Sequence, residues 1–279
     1  MKIIHRIAIT NPSNSSLQEL SELAIALKGG SKHPTVPSIF YFEIGENDKR
    51  WQQVQRLVAA SKLTDFVRTS FSESEIEEAD VLSMLGATQR GYPEPSERLG
   101  FLEETYDLSN YCRRCGTGNR QISPFRIKFV PELKRSIMLL NWVFDEYFVA
   151  PEVWTEVFEP FGIGFWPVLK HRTGSEISSV VQLRVSSEID LCLDETDASR
   201  CSVCGRKKTK FSLRGLCPRP VSIPAPIFRS TQYFGSDGLG FNRVFVSPAL
   251  HRKICSSRLR GLKFYPCAAC PAPKFEPPV

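Results

Sequence analysis

Cys112-Arg113-Arg114-Cys115-Gly116 and Cys201-Ser202-Val203-Cys204-Gly205 are one turn written twice. Each copy is closed by a second shared signature. The first reads Phe148-Val149-Ala150-Pro151, a helix-like run, then Gly162-Ile163-Gly164-Phe165-Trp166-Pro167. The second reads Phe245-Val246-Ser247-Pro248, a similar run, then Gly261-Leu262-Lys263-Phe264-Tyr265-Pro266. In both, a short apolar strand leads into a proline, which the first helical turn tolerates because its missing N–H would have no partner there. Ser247 is a good cap residue and Ala150 is not. Gly162 and Gly261 can take the positive-φ stop, and an aromatic strand follows. Each cassette therefore reads as a cysteine knuckle followed by a β-α-β unit.

In a Cys-x-x-Cys-Gly turn, backbone N–H groups point at the first sulfur and the glycine relieves crowding after the second. Two such turns supply four thiolates, the donor set of a structural zinc site. Cys112, Cys115, Cys201 and Cys204 are the expected ligands of one zinc ion shared between the cassettes. The long spacing from Cys115 to Cys201 is no obstacle, because loop-closure entropy grows slowly with length. A thioredoxin-like redox pair should open a helix directly after a strand, whereas Gly116-Thr117-Gly118 and Gly205-Arg206-Lys207 read as turns. Cys267 and Cys270 form a third pair without the glycine. With Cys217 or Cys255 they could hold a second metal, and reduced structural thiols are the alternative. Cys192 reads as core.

Outward from the cassettes, residues 1–100 alternate strand and helix patterns. Strands are expected at Ile3–Ile9, Ile39–Ile44 and Phe66–Ser70. Helices are expected from Ser15/Ser16 to Leu27, from Lys49 to Lys62 with Trp51, Val54, Leu57 and Val58 on one face, and from Ser72 or Ser74 onward. That order predicts a small α/β domain. The expected architecture is thus α+β: an α/β domain at 1–100, repeats at 110–187 and 200–273, and a flexible tail at 274–279.

At 279 residues and 42% hydrophobic the chain can fill a full core. No apolar run reaches the roughly 20 residues that cross a bilayer, and the alternating N-terminus reads as a strand rather than a leader. A bacterial-type, cytoplasmic protein without membrane association is the expectation, in which thiols stay reduced. The net charge of +6 hides an asymmetry. Residues 200–279 carry 15 Lys and Arg against Asp237 and Glu276. Such a distribution either steers an acidic partner or docks the acidic N-terminal part on the basic C-terminal part.

None of the four histidines, His5, His33, His171 and His251, belongs to a catalytic pattern. Gly235-Ser-Asp-Gly-Leu-Gly240 matches no phosphate-binding fingerprint and reads as a flexible connection. Four thiolates leave a metal no open position for substrate, so an enzyme is not expected. A basic run suggests one alternative: Arg206, Lys207, Lys208, Lys210, Arg252, Lys253, Arg258 and Arg260 could contact nucleic acid.

The paired knuckles and the Phe-Val-Ser-Pro … Leu-Arg-Gly-Leu-Lys-Phe-Tyr-Pro ending give residues 110–270 a resemblance to the bacterial double-CXXCG motif family. That family looks like a set of paralogous immunity proteins, which protect a cell from toxins delivered by its siblings. The resemblance implies a protein partner and a non-enzymatic, toxin-antagonist role. The N-terminal domain and the strongly basic second cassette depart from the pattern.

Overall fold

The computed structural model describes residues 1–10, 22, 31–32, 39–193 and 198–269. The expected helix at 15–27, the tail and Cys270 lie outside them. The described chain is mixed α+β, with short helices and several sheets, and divides into two compact units.

The first unit comprises Met1–Glu75 with Ser212–Leu216. Its strands β1 (Lys2–Thr10), β2 (Ser31–Lys32), β3 (Ile39–Gly45) and β4 (Thr64–Ser70) form a sheet in the order β2-β3-β1-β4. A helix, Trp51–Ala60, joins β3 to β4. The predicted β-α-β is present, but β1 lies between its strands and runs antiparallel to both. Alternation along β1 puts His5, Ile7 and Ile9 on the buried face. Ile7 and Ile9 pack against Phe42, Ile44, Trp51, Val54 and Val58.

The second unit holds Ile76–Phe211 and Cys217 onward, so the boundary read at about residue 100 falls at 75/76. Its strands are β5 (Leu82–Gly86), β6 (Tyr106–Asp107), β7 (Arg120–Gln121), β8 (Arg126–Ile127), β9 (Phe148–Val149), β10 (Phe165–Lys170) and β11 (Glu176–Leu183). They continue with β12 (Glu188–Ile189), β13 (Ala198–Arg200), β14 (Lys207–Thr209), β15 (Ile227–Phe234), β16 (Phe241–Val246) and β17 (Leu262–Pro266). One sheet runs β8-β10-β11-β9; a larger one runs β13-β14-β15-β16-β5-β17, with β12 beside β15.

Both expected β-α-β units occur here, and each is split by an antiparallel strand. In the first, Val181 of β11 lies between Val149 and Pro167. In the second, Leu82 of β5 lies between Val246 and Pro266. The splitting strand follows its unit in one case and precedes it in the other. Residues 82–86, placed by sequence in the N-terminal domain and not read as a strand, form β5 and complete the C-terminal sheet. Leu82 and Met84 enter one core with Val149, Val181, Val246 and Leu250.

The helices differ as their caps suggest. Ser247 accepts the Leu250 N–H and starts a regular helix, Pro248–Ser256. Ala150 offers no such bond. The helix after it widens into a π turn, Trp154–Phe158, because Pro160 supplies no N–H, and closes as a 3-10 turn, Glu159–Phe161. Gly162 then takes the expected left-handed stop at φ 71°. Gly261 does something else: its helix has already ended, and a Cβ there would lie 2.2 Å from the Ile137 carbonyl oxygen.

Candidate metal centre

The two knuckles have the same backbone. Cys112 N–H donates to Thr117 O at 2.9 Å and Cys201 N–H to Arg206 O at 3.0 Å. Gly116 N–H returns to Cys112 O at 2.8 Å and Gly205 N–H to Cys201 O at 2.9 Å. Both glycines are left-handed, at φ 71° and 73°.

These turns bring four sulfurs together. Cys112 Sγ lies 3.8 Å from Cys201 Sγ, and Cys115 Sγ lies 3.6 Å from Cys204 Sγ. All four fall within 4.8 Å of one another, and among the described residues they form the group that could hold a metal ion. Cys112 and Cys115 are buried and Cys204 is exposed. Backbone N–H groups of Cys204 and Val203 hold the Cys201 thiol down at about 6. The Cys115 N–H lowers Cys112 in the same way. At Cys204 the Arg206 N–H favours the thiolate, but burial and three neighbouring sulfurs outweigh it and push the thiol up to about 11. A set in which two thiols are shifted toward the thiolate and Cys204 is crowded away from it is one a cation would stabilise.

The glycine-rich stretch at 235–240 is part of this assembly rather than a loose connection. A Cβ on Gly116 would lie 2.1 Å from Gly238 O, and one on Gly240 would lie 2.7 Å from Gly116 O. The loop therefore needs glycine to touch the first knuckle backbone. Lys208, read as a phosphate contact, is buried against the same loop. Its ammonium donates to the carbonyl oxygens of Cys115 at 2.9 Å and Leu239 at 3.1 Å, and to that of Asp237.

The remaining basic candidates are not brought into one patch. Arg206 is half-buried and donates to Thr117 O at 3.2 Å, while Lys207 and Lys210 are exposed on or beside β14. Arg252, Lys253, Arg258 and Arg260 sit on the helix and turn before β17. Strands β14 and β17 are four places apart in the sheet, about 19 Å at ~4.8 Å per strand.

The other cysteines separate too. Cys217 pairs with Cys267 across a parallel bridge, and burial raises both thiols. Cys255 Sγ lies 3.2 Å from His251 Nε2 on the helix. Cys192 is half-buried and disulfide-bonded, which corrects its reading as a reduced core thiol.

No protein-family model matches this sequence, and no curated protein is similar to it.

Sequence reasoning missed a polar cluster beneath a cleft of about 870 Å³ in the second unit. Glu146 is paired with Arg229 at 3.0 Å and accepts from Gln182 at 2.8 Å. Gln182 continues the chain to Gln121 at 2.9 Å. Asp145 accepts the Asn242 N–H at 2.9 Å. Burial first, then the adjacent Glu146, pushes its carboxyl up to about 6. The one sequence sign was the acidic doublet Asp145-Glu146 set directly against the apolar run Tyr147–Ala150.

Proposed function

We propose that this chain is a zinc-braced, non-enzymatic protein that acts by binding another protein, as an immunity protein masks a toxin. Cys112, Cys115, Cys201 and Cys204 would hold the zinc. A tetrahedral site with Zn–S bonds of ~2.3 Å has sulfurs ~3.8 Å apart, and the two cross-pairs lie at 3.8 and 3.6 Å. Four thiolates complete the coordination, so the ion joins two cassettes, which we read as products of a duplication, and activates no water.

The observation that carries the binding role is an exposed apolar cluster. Tyr92, Leu99 and Trp142 are exposed; Tyr92 and Trp142 lie ring to ring at 4.5 Å, Trp142 stacks on the buried Phe101 at 6.3 Å, and Leu99 and Trp142 line the cleft. Tryptophan and tyrosine are the side chains that dominate protein-binding energies, and grouped exposure of large apolar residues marks interaction surfaces. The test is capture of the products of adjacent genes by the full-length zinc protein. A stoichiometric complex with a toxin whose activity it blocks is expected.

The second reading is a zinc-ribbon nucleic-acid binder using Arg252, Lys253, Arg258 and Arg260, of which only Lys253 has an acidic group acting on it, Glu156, among the described residues. Failure to bind any of those proteins, with DNA or RNA affinity that falls steeply with salt, would replace the first reading by this one.

A further inference from the structure

We propose that the cleft of the second unit receives a polypeptide segment of a protein partner and seats one of its basic side chains against Asp145. This deepens the protein-binding reading above and rests on it. The argument begins with charge. On the floor, Arg229 neutralises Glu146 at 3.0 Å, and Gln182 and Gln121 are neutral. Asp145 has the Asn242 N–H and no cation in ion-pair reach among the described residues. The floor therefore keeps one negative charge in a setting of low dielectric, where an arriving cation gains most. The walls are balanced differently: Arg184 lies over the Trp166 ring at 5.1 Å, Arg206 is tied to Thr117 O, Arg120 is paired with Asp107 at 3.4 Å, and Glu188 opposes them. A wall of mixed sign suits a peptide and gives a phosphodiester chain no continuous positive track.

A bare cation would leave something undone. The exposed Leu99 and Trp142 line the same cleft as Asp145, an apolar surface that an ion leaves in water and a polypeptide covers. The mouth is shaped for a chain as well. Trp142 and Leu99 hold left-handed backbones at φ 68° and 59°, a conformation that bulky residues rarely adopt. Such strain collects at ligand clamps, and here it places the indole at the entrance.

The test is calorimetric titration of the full-length zinc protein with the blocked pentapeptide acetyl-Gly-Gly-Arg-Gly-Gly-amide, its glutamate counterpart and free arginine. Saturable binding of the arginine peptide is expected, with no binding of the glutamate peptide and at least tenfold weaker binding of free arginine. Asp145→Asn and Trp142→Ala should each weaken the arginine peptide at least tenfold, and Trp142→Ala keeps the test valid should Asp145→Asn not fold. Equal binding of both peptides, no binding, or indifference to both substitutions overturns the proposal; free arginine binding as tightly as the peptide overturns the polypeptide occupant. Partner capture that survives both substitutions would sink the cleft and leave the protein-binding reading intact. Peptide binding by a protein that captures no partner would do the reverse.

Discussion

Lys208 Nζ donates to the carbonyl oxygen of Cys115 at 2.9 Å, so the strand after the second knuckle is bonded to a cysteine of the first. The same ammonium gathers the carbonyls of Asp237 and Leu239, fastening the glycine-rich loop to both. Lys208→Met keeps the stem and removes the charge, leaving three carbonyls unserved. We expect a loss of about 2–4 kcal/mol, read by urea denaturation, and faster release of metal to a chelator. Unchanged stability would mean the ammonium is dispensable.

The two knuckle glycines should respond unequally. Both are left-handed, at φ 71° and 73°, but a Cβ on Gly116 would meet Gly238 O at 2.1 Å, whereas one on Gly205 meets nothing within 4 Å. Gly205→Ala should cost about 1–2 kcal/mol for the backbone alone. Gly116→Ala adds a backbone collision and should cost roughly 3 kcal/mol or more. Equal losses in denaturant melts would contradict the close approach.

Much of this contrast shows why some features are legible in sequence and others are not. The clustering of four cysteines could be read because each knuckle is local, with chemistry, turn and glycine inside five residues. The β-α-β units were readable from short strands, prolines and glycines for the same reason. Strand β5 was not, because its partners β16 and β17 lie 160 and 180 residues away, at Val244 and Phe264 opposite Met84. Lys208 was misread because a basic run looks solvated until the Asp237 and Leu239 carbonyls close round it. The Glu146–Arg229 pair joins residues 83 apart, and nothing local announces it.

Removing one member of that pair should be costly. Glu146 is almost fully buried and Arg229 keeps 15% of its side chain exposed, and an ion left alone at the buried end costs about 3–5 kcal/mol. Glu146→Leu should lose that much, and Glu146→Leu with Arg229→Met should recover most of it. A double-mutant cycle on denaturation free energies checks this; additive losses would mean the pair is not coupled.

Asp145 gives a pH signature. Its carboxyl lies at about 6 when folded against an ordinary 3.8, so between those values the folded state binds more protons than the unfolded one. Stability therefore falls as pH rises through that interval. Asp145→Asn removes this dependence. Its stability relative to wild type should climb from about pH 4 to about pH 7 and be level on either side. Groups unaffected by the substitution cancel in the difference, and a flat difference would place Asp145 in an ordinary, solvated setting.

Everything structural about the second unit turns on whether one ion joins Cys112 and Cys115 to Cys201 and Cys204. X-ray absorption at the zinc edge on the purified full-length chain, with metal quantified per chain, tests this most directly. We expect one zinc with four sulfur neighbours at ~2.3 Å, lost from both Cys112→Ser and Cys201→Ser. A metal-free folded chain, a shell containing nitrogen or oxygen, or zinc retained by both variants would contradict a shared four-sulfur site.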